Sequence, residues 1–349
     1  TVTGALVNSA PPIIEPGIGQ RSPELPEETP CDVETGPSPS TDVTSEIGQL
    51  LTMIDSPPAP LVPMALTDTR SVRARRWSTL DSITVRGFKA AEEATIPLDH
   101  VTILVGPNGC GKSSVLQAIH WAARAASYVL PKNTKEMISF ERLDYVPSSD
   151  PLTTLHKGEL RSDAGSEPVE VVFTHRPAGD ETVQATIRIR AARNRGGITA
   201  YMDGGSAVTP YKQRYQFITA YIPGLAGLSE KESILAQPTL RRQAASGDAG
   251  GVLRNILLNL RSRRVDETDD AKGIDRLARL NGLVQQVHPG VQVDVAFDER
   301  EDYHISATIR TDGFAGQSRP LETAATGVLQ VVQIFAYLIL FEPKVMLID

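Results

Sequence analysis

The sequence predicts an α/β fold that combines an antiparallel sheet with buried helices. Three patterns support this prediction. Several short segments alternate apolar and polar residues, a glycine-rich loop lies between an apolar run and a helical segment, and a long apolar segment precedes a second short apolar run near residue 349. With 349 residues and 40% hydrophobic composition, the chain can bury one large or two modest cores.

The net charge of -7 is concentrated at one end of the chain. Residues 1–78 contain ten acidic and five basic side chains, which leaves 32 acidic and 30 basic side chains for the rest. The remainder is nearly neutral, which argues against a protein coated in positive charge for indiscriminate nucleic-acid binding.

The two cysteines and the longest apolar run indicate the cellular setting. Cys31 and Cys110 do not form a disulfide framework, so we expect a reducing, cytoplasmic environment. Val328 to Phe341 is an apolar run of 14 residues, whereas a membrane-spanning helix needs about 20. We therefore expect a buried core helix and no membrane partner.

Residues 1–78 are predicted to form a disordered, proline-rich segment. Of the 25 prolines, 12 lie within residues 1–63, which show neither helical nor strand periodicity. Met64 opens a more ordinary sequence, so the first 63 residues are either a linker or translated upstream DNA. Four nearby arginines could contact phosphates, but a solvated charge run is the favoured interpretation; they are Arg70, Arg73, Arg75 and Arg76.

The folded domain is predicted to extend from residue 79 to residue 349. Alternation at Ile83 and Val85 predicts a strand, and the run from Val101 to Val105, which is apolar except for Thr102, predicts a short strand. Residues with helical spacing between Ser114 and Ser127 predict a buried helix.

The middle and end of the chain predict further strands around a helical insertion at about residues 225–288. Val252, Ile256, Leu257 and Leu260 share one helical face in this insertion. The predicted strands flank it on both sides: Val169–Thr174, Thr182–Ala191, a hairpin from Val291 to Ile309, and Val345–Ile348.

The glycine-rich loop matches the phosphate-loop pattern of Gly, four residues, Gly, Lys and Ser. Glycines let successive backbone N–H groups converge on a phosphate, and the following helix directs its positive end at the same anion. Lys112 is expected to bridge the β- and γ-phosphates of ATP, and the Ser113 hydroxyl to bind Mg²⁺. The predicted nucleotide-binding residues are Gly106, Pro107, Asn108, Gly109, Cys110, Gly111, Lys112, Ser113 and Ser114.

A second candidate residue for the same site is Asp349, which follows the apolar residues Val345 to Ile348. A carboxylate at the end of a buried strand beside a phosphate loop is expected to hold Mg²⁺ directly or through water. We therefore predict that Lys112 and Asp349 are catalytic and that Ser113 and Asp349 are the metal ligands.

These motifs resemble the heads of ABC-type ATPases of the SMC, RecF and OLD (overcoming lysogenization defect) group. The resemblance lies in VTILVGPNGCGKSSVLQAI with the preceding ITVRGFKAAEEATIPL, and in ATGVLQ before the final apolar helix and strand. It implies a P-loop NTPase fold of the ABC-ATPase type with an antiparallel β subdomain and a helical insertion. It also implies ATP and Mg²⁺ as cofactors.

In that group the ATGVLQ segment corresponds to the signature motif, which contacts the nucleotide held by a second head. Thr326, Gly327 and Gln330 are therefore predicted to bind nucleotide in an ATP-dependent homodimer. Thr326 stands where Ser is common, and Val328 replaces the second glycine of the transporter form. The alternative role for Thr326 is simply to cap the helix that follows.

The resemblance further implies ATP hydrolysis coupled to DNA repair or phage defence, with DNA and a fused or separate nuclease as possible partners. In relatives a glutamate after the aspartate polarises the attacking water, so a chain ending at Asp349 is expected to be a fragment of low activity. A metal-positioning glutamine is also expected, and three candidates cannot be separated by spacing: Gln184, Gln213 and Gln216.

Two alternatives remain beside this interpretation. An ABC transporter subunit is disfavoured because about 210 residues separate Ser113 from Thr326 and the sequence LSGGQ does not occur. A scaffold or sensor that binds nucleotide without hydrolysing it also fits the motifs. Glu141 and Arg142 are predicted to have structural roles.

Overall fold

The computed structural model describes residues 79–176, 181–224, 227–261, 276–312 and 316–349. The predicted disordered segment 1–78, with its arginine cluster, lies outside the described residues, as do parts of the helical insertion predicted at 225–288. The boundaries of both remain predictions.

Six strands form one antiparallel sheet. Its order is β2-β1-β4-β5-β6-β3. Alternation in β1 buries Ile83 and Val85, which face Ile96 and Ala94 of β2 on one side and Phe173 and Val171 of β4 on the other. The strands are β1 (Thr79–Phe88), β2 (Ala91–Pro97), β3 (Lys135–Ser139), β4 (Val169–Arg176), β5 (Val183–Ala191) and β6 (Gly197–Asp203).

Helix α1 (Lys112–Ala126) covers this sheet. Its sequence is rich in alanine, a strong helix former whose small side chain permits close packing. Trp121 is fully buried, with its ring 5.9 Å from that of Phe88 in β1. The helix is therefore held firmly on the sheet behind the glycine-rich loop.

Two strands far apart in sequence pair beside α1. Strands β7 (Thr219–Ile222) and β11 (Val345–Ile348) run parallel, with Leu347 opposite Tyr221. The amide of Asp349 continues this ladder by donating to the carbonyl of Ile222 over 3.0 Å. The pairing brings the end of β11 to the helix that follows the loop.

A second hydrophobic core contains helices and a small antiparallel sheet in the order β10-β9-β8. The predicted helical face is buried here, since Val252, Ile256, Leu257 and Leu260 are each at most 2% exposed. The elements are α2 (Gln237–Ala245), α3 (Leu253–Arg261), α4 (Arg276–Val287), β8 (Gln292–Ala296), β9 (Ser306–Arg310), β10 (Ser318–Pro320) and α5 (Thr326–Phe341). Short 3₁₀ helices span Pro151–Thr154, Gly205–Lys212 and Leu321–Thr323.

The prediction of a short strand at Val101–Val105 was wrong. Val101, Ile103 and Val105 are 79%, 78% and 89% exposed, and no ladder of the described strands includes them. An apolar run indicates a tendency toward burial, but a strand also needs a paired neighbour, and none of the described strands pairs with this run. Only Leu104 packs against the core.

A buried ion pair fastens α1 to the loop that precedes the first 3₁₀ helix. Arg124 donates through Nε and Nη2 to the two carboxylate oxygens of Asp144, and their side chains are 4% and 9% exposed. The guanidinium also lies 5.0 Å from the centre of the Phe217 ring. Each charge is thus compensated at a site with little access to water.

We predict that Asp144→Ala lowers the free energy of unfolding by about 3–5 kcal/mol, because it leaves the Arg124 guanidinium buried without its counter-charge. Urea denaturation of the wild type and the variant measures this difference. The double variant Arg124→Met, Asp144→Leu should recover most of the loss, since an apolar pair has no charge to compensate. A double variant as unstable as the single one would contradict this explanation.

Candidate functional site

The glycine-rich loop leads directly into the first turn of α1. Gly109 and Gly111 have φ angles of 83° and 99°, in the left-handed region that favours glycine. No side chain caps the helix at Gly111. The first N–H groups of a helix have no partner within it, so the loop and helix end together present backbone donors suited to an anion.

The Lys112 side chain folds back over this loop. Its Nζ donates to the carbonyl oxygens of Gly106 and Pro107 over 2.8 and 2.9 Å, and lies 3.8 Å from Cys110 Sγ. The ammonium group is therefore held inside the curve of the loop, where a phosphate bound by the backbone N–H groups would meet it.

Ser113 and Asp349 meet although 236 positions separate them in sequence. Ser113 Oγ donates to Asp349 Oδ1 over 2.6 Å, and Tyr221 Oη donates to Asp349 Oδ2 over 3.0 Å. A hydroxyl and a carboxylate are oxygen ligands of the kind Mg²⁺ prefers, and both residues are exposed. The donor set therefore fits a hard divalent cation next to the loop.

Tyr221 remains a hydrogen-bond donor at neutral pH. Its side chain lies on β7 with only 4% of the residue exposed, and burial is the main cause that raises the pKa of its phenol to about 12. The side chain of Gln117, one turn after Ser113 on α1, lowers the pKa of Tyr221 and so acts in the opposite direction. Sequence analysis missed both residues, although the four-residue spacing from Ser113 places Gln117 on the same helical face.

The buried ring of His120 packs against the aromatic residues next to this part of the site. The His120 ring lies 4.6 Å from Tyr145 and 5.7 Å from Tyr221. Its Nδ1 lies 2.8 Å from Thr219 Oγ1 on β7, and its Nε2 lies 2.8 Å from the carbonyl oxygen of Ala245 at the end of α2. Because a carbonyl only accepts, Nε2 carries the proton, and complete burial lowers the pKa of His120 to about 4.

The predicted signature residues lie at the exposed start of α5. The helix begins at Thr326, its N-cap is Ala325, and no side chain forms a capping bond. Thr326 therefore does not cap the helix. Thr326, Gly327 and Gln330 are exposed, and among the hydrogen bonds of the described residues none joins them to the glycine-rich loop.

The three candidate glutamines are not gathered at the loop by any hydrogen bond of the described residues. Gln184 is exposed on β5 opposite Thr174, and Gln213 follows the 3₁₀ helix Gly205–Lys212. The backbone N–H of Gln216 donates to the backbone carbonyl of Gln213. The backbone carbonyl of Glu141 accepts a hydrogen bond from the Arg242 guanidinium, and that of Arg142 accepts one from the Tyr128 hydroxyl.

A glycine-rich loop, its lysine, a hydroxyl and a strand-end carboxylate, carried on this α/β fold, define a P-loop ATPase of the ABC type that is similar to SMC proteins. The chain belongs to the AAA domain family, whose family model matches residues 82–286.

Curated relatives are chromosome partition proteins named Smc. The chain is 28% identical over 145 residues to that of Halobacteriovorax marinus, covering 38% of this chain and 12% of the relative. It is 27% identical over 168 residues to that of Methylococcus capsulatus, covering 47% and 13%. The protein of Delftia acidovorans is 31% identical over 135 residues, covering 37% and 10%. The chain thus matches only 10% to 13% of the length of these relatives.

Two solved structures of the recombination mediator protein RecF, one with ATP and one with ATPrS, resemble the chain at TM-scores of 0.36 and 0.38. The sequence identities are 13% and 12%, and each match covers 78% of this chain and 85% of the other. At these TM-scores the likeness carries no functional assignment. None of the helices among the described residues has the length and hydropathy needed to cross a bilayer.

We predict that His120 makes stability depend on pH between about 6.5 and 4. The folded-state pKa is depressed from its ordinary value of 6.5 to about 4, so the unfolded chain binds the proton more readily. The resulting stability is present above pH 6.5 and is lost as the pH falls through this window, by a total of about 3 kcal/mol. Urea unfolding at a series of pH values measures it.

The matched variant is His120→Gln, which keeps a side-chain amide able to donate to the Ala245 carbonyl but does not titrate. The difference in unfolding free energy between wild type and variant should shrink as the pH falls from 7.5 to 4.5. A difference that stays constant over this range would show that His120 does not cause the pH dependence.

Proposed function

We propose that this chain binds Mg²⁺–ATP through the loop from Gly106 to Ser113 and forms the nucleotide-binding head of an ATPase. The observation that carries the proposal is the hydrogen bond of 2.6 Å between Ser113 Oγ and Asp349 Oδ1. It joins the residue after the loop lysine to a carboxylate at the end of a parallel strand. Family membership supports ATP as the ligand.

The residues of the chain have separate tasks in this proposal. The backbone N–H groups of the loop and the first turn of α1 bind the β-phosphate. Lys112 Nζ exchanges its carbonyl partners for phosphate oxygens and stabilises the charge that develops as the terminal phosphoryl group is transferred to water. Ser113 and Asp349 hold Mg²⁺, which neutralises charge on the phosphate oxygens.

The exposed start of α5 supports the further proposal that two copies of the head close on ATP. Thr326 and Gly327 precede uncapped N–H groups at a helix N-terminus, and the nearby phosphate of a partner's nucleotide would satisfy them. A Cβ added at Gly327 would meet no atom within 4 Å. This surface of the chain is therefore open to a second molecule.

We also propose that the ATPase works on DNA. The support is the resemblance to three chromosome partition proteins, which covers only the part of those chains that matches this head. Repair of DNA, phage defence and a nuclease partner remain predictions from the resemblance of the sequence motifs.

We predict that Lys112→Ala weakens binding of a fluorescent ATP analogue in the presence of Mg²⁺ by at least about tenfold, because a charge-assisted hydrogen bond to phosphate is lost. Fluorescence titration measures the affinity. Lys132→Ala, which removes an exposed lysine outside the loop, should bind like the wild type. Equal affinities for wild type and Lys112→Ala would reject the proposed site.

Phosphate release separates an ATPase from a nucleotide-binding scaffold. Because the glutamate that polarises the attacking water in relatives follows the aspartate, hydrolysis is measured on a chain that continues past Asp349. This chain should release phosphate from Mg²⁺–ATP faster than its Lys112→Ala variant by at least about tenfold. Equal rates, with ATP binding intact in the wild type, would favour the scaffold.

We predict that Gly327→Ala weakens ATP-dependent dimerisation, measured by sedimentation velocity, by about tenfold or more, because the added methyl group would lie where a partner's nucleotide approaches. The affinity of the monomer for ATP should not change. Alanine is a better helix former than glycine and has room here, so the variant should fold normally. ATP-dependent dimers of unchanged affinity would contradict a role for this segment in the interface.

A further inference from the structure

We propose that Tyr221 is a positioning residue for Asp349, and that Gln117 and Lys89 in turn fix the Tyr221 hydroxyl. The proposed relay runs from the turn between β1 and β2 to the carboxylate at the end of β11. Its first and last hydrogen bonds, Lys89 to Gln117 and Tyr221 to Asp349, are present in the structure. This inference rests on the proposed function, because it assigns a partner to the proposed Mg²⁺ ligand.

Strand β7 holds both the backbone and the side chain of Asp349. Its Ile222 carbonyl accepts the Asp349 amide over 3.0 Å, and its Tyr221 hydroxyl donates to Asp349 Oδ2 over 3.0 Å. The parallel pairing of Leu347 with Tyr221 and of Ile348 with Ile222 fixes this register. The carboxylate is therefore oriented by the neighbouring strand and not only by its own.

The chemistry of each group fixes the direction of the relay. Lys89 Nζ only donates, so Gln117 Oε1 must accept the hydrogen bond of 2.6 Å between them. The Gln117 amide nitrogen is then the group available to donate to the Tyr221 oxygen, which is the link that we infer, and Tyr221 Oη donates a hydrogen bond to Asp349 Oδ2. Every donor points toward Asp349, an arrangement in which neighbouring hydrogen bonds strengthen one another.

The position of Lys89, the first donor of this relay, is fixed by both its backbone and its side chain. It has a φ of 47° in the turn between β1 and β2, and its amide donates to the Thr154 carbonyl over 2.8 Å. Its Nζ donates also to the Pro147 carbonyl over 2.9 Å and lies 5.4 Å from the centre of the Phe88 ring. The ammonium is thus held on several sides in a half-buried position.

The two carboxylate oxygens of Asp349 have different hydrogen-bond partners. Tyr221 occupies Oδ2, which leaves Oδ1, the oxygen beside Ser113 Oγ, to face a cation. A Ser113 hydroxyl that coordinates Mg²⁺ through a lone pair keeps its proton for Oδ1, so the Tyr221 hydroxyl is the side-chain donor that holds the other oxygen of the carboxylate. Without it, Asp349 is free to rotate away from the position that binds the cation.

Tyr221→Phe removes the hydroxyl and keeps the ring. We titrate Mg²⁺ against the full chain at a fixed concentration of a fluorescent ATP analogue and measure the Mg²⁺ concentration for half-maximal binding. The variant should need about five to ten times more Mg²⁺ than the wild type. Its affinity for the analogue in excess chelator should be unchanged, because the loop and Lys112 are untouched.

Tyr211→Phe is the matched control. It removes a buried tyrosine hydroxyl that lies 2.7 Å from His175 Nε2 in another part of the core, so it should lower thermal stability without changing the Mg²⁺ requirement. Gln117→Leu should raise the Mg²⁺ requirement by a smaller factor of about two to four, because the Tyr221 hydroxyl loses its orienting donor. This second variant tests the relay even if Tyr221→Phe folds poorly.

A Mg²⁺ requirement for Tyr221→Phe equal to that of the wild type, or equal shifts in Tyr221→Phe and Tyr211→Phe, would overturn the assignment of Tyr221. In that case the proposed ATP site still stands if Lys112→Ala loses binding. If the wild type itself shows no ATP binding that depends on Lys112, the proposed function and the relay both fail.

Discussion

The parallel pairing of β7 with β11 is the constraint on which the rest of the candidate site depends. It places Asp349 at the first turn of α1, where Ser113 and the loop lysine begin the helix. Loop-closure entropy opposes contacts between residues so far apart in sequence. The buried face of α1 and the surrounding cores supply the apolar contacts that offset this cost.

The loop itself could be predicted because its chemistry is local. Glycines at 109 and 111 permit the left-handed backbone, and Lys112 and Ser113 follow from the same eight-residue pattern. Strands β1, β4 and β5 of the large sheet were equally accessible, since alternation along a strand depends only on which face is buried, whereas β3 and β6 were not predicted. Val345–Ile348 was also recognised as a strand, although its last residue is half exposed.

The wrong strand prediction and the two missed site residues have the same cause, because each depends on tertiary contacts that the sequence pattern does not show. Val101–Val105 has the composition of a buried strand, but pairing is decided by neighbours that periodicity does not reveal. Tyr221 and Gln117 acquire their roles only when β7 lies beside β11 and beneath α1. A tyrosine in a short apolar strand is ordinary in isolation. The four-residue spacing of Gln117 from Ser113 indicates only a shared helical face, so neither role follows from the sequence pattern alone.

The His120 imidazole bonds to both a strand and the end of a second helix, so three elements from both cores depend on one ring. Separating α2 from the site would leave a buried N–H without an acceptor, and separating β7 would remove the partner of Nδ1. We therefore expect backbone amides in α1, β7 and the end of α2 to exchange their hydrogens through a shared opening event. The nucleotide loop would then be attached to a cooperative unit larger than the helix that carries it.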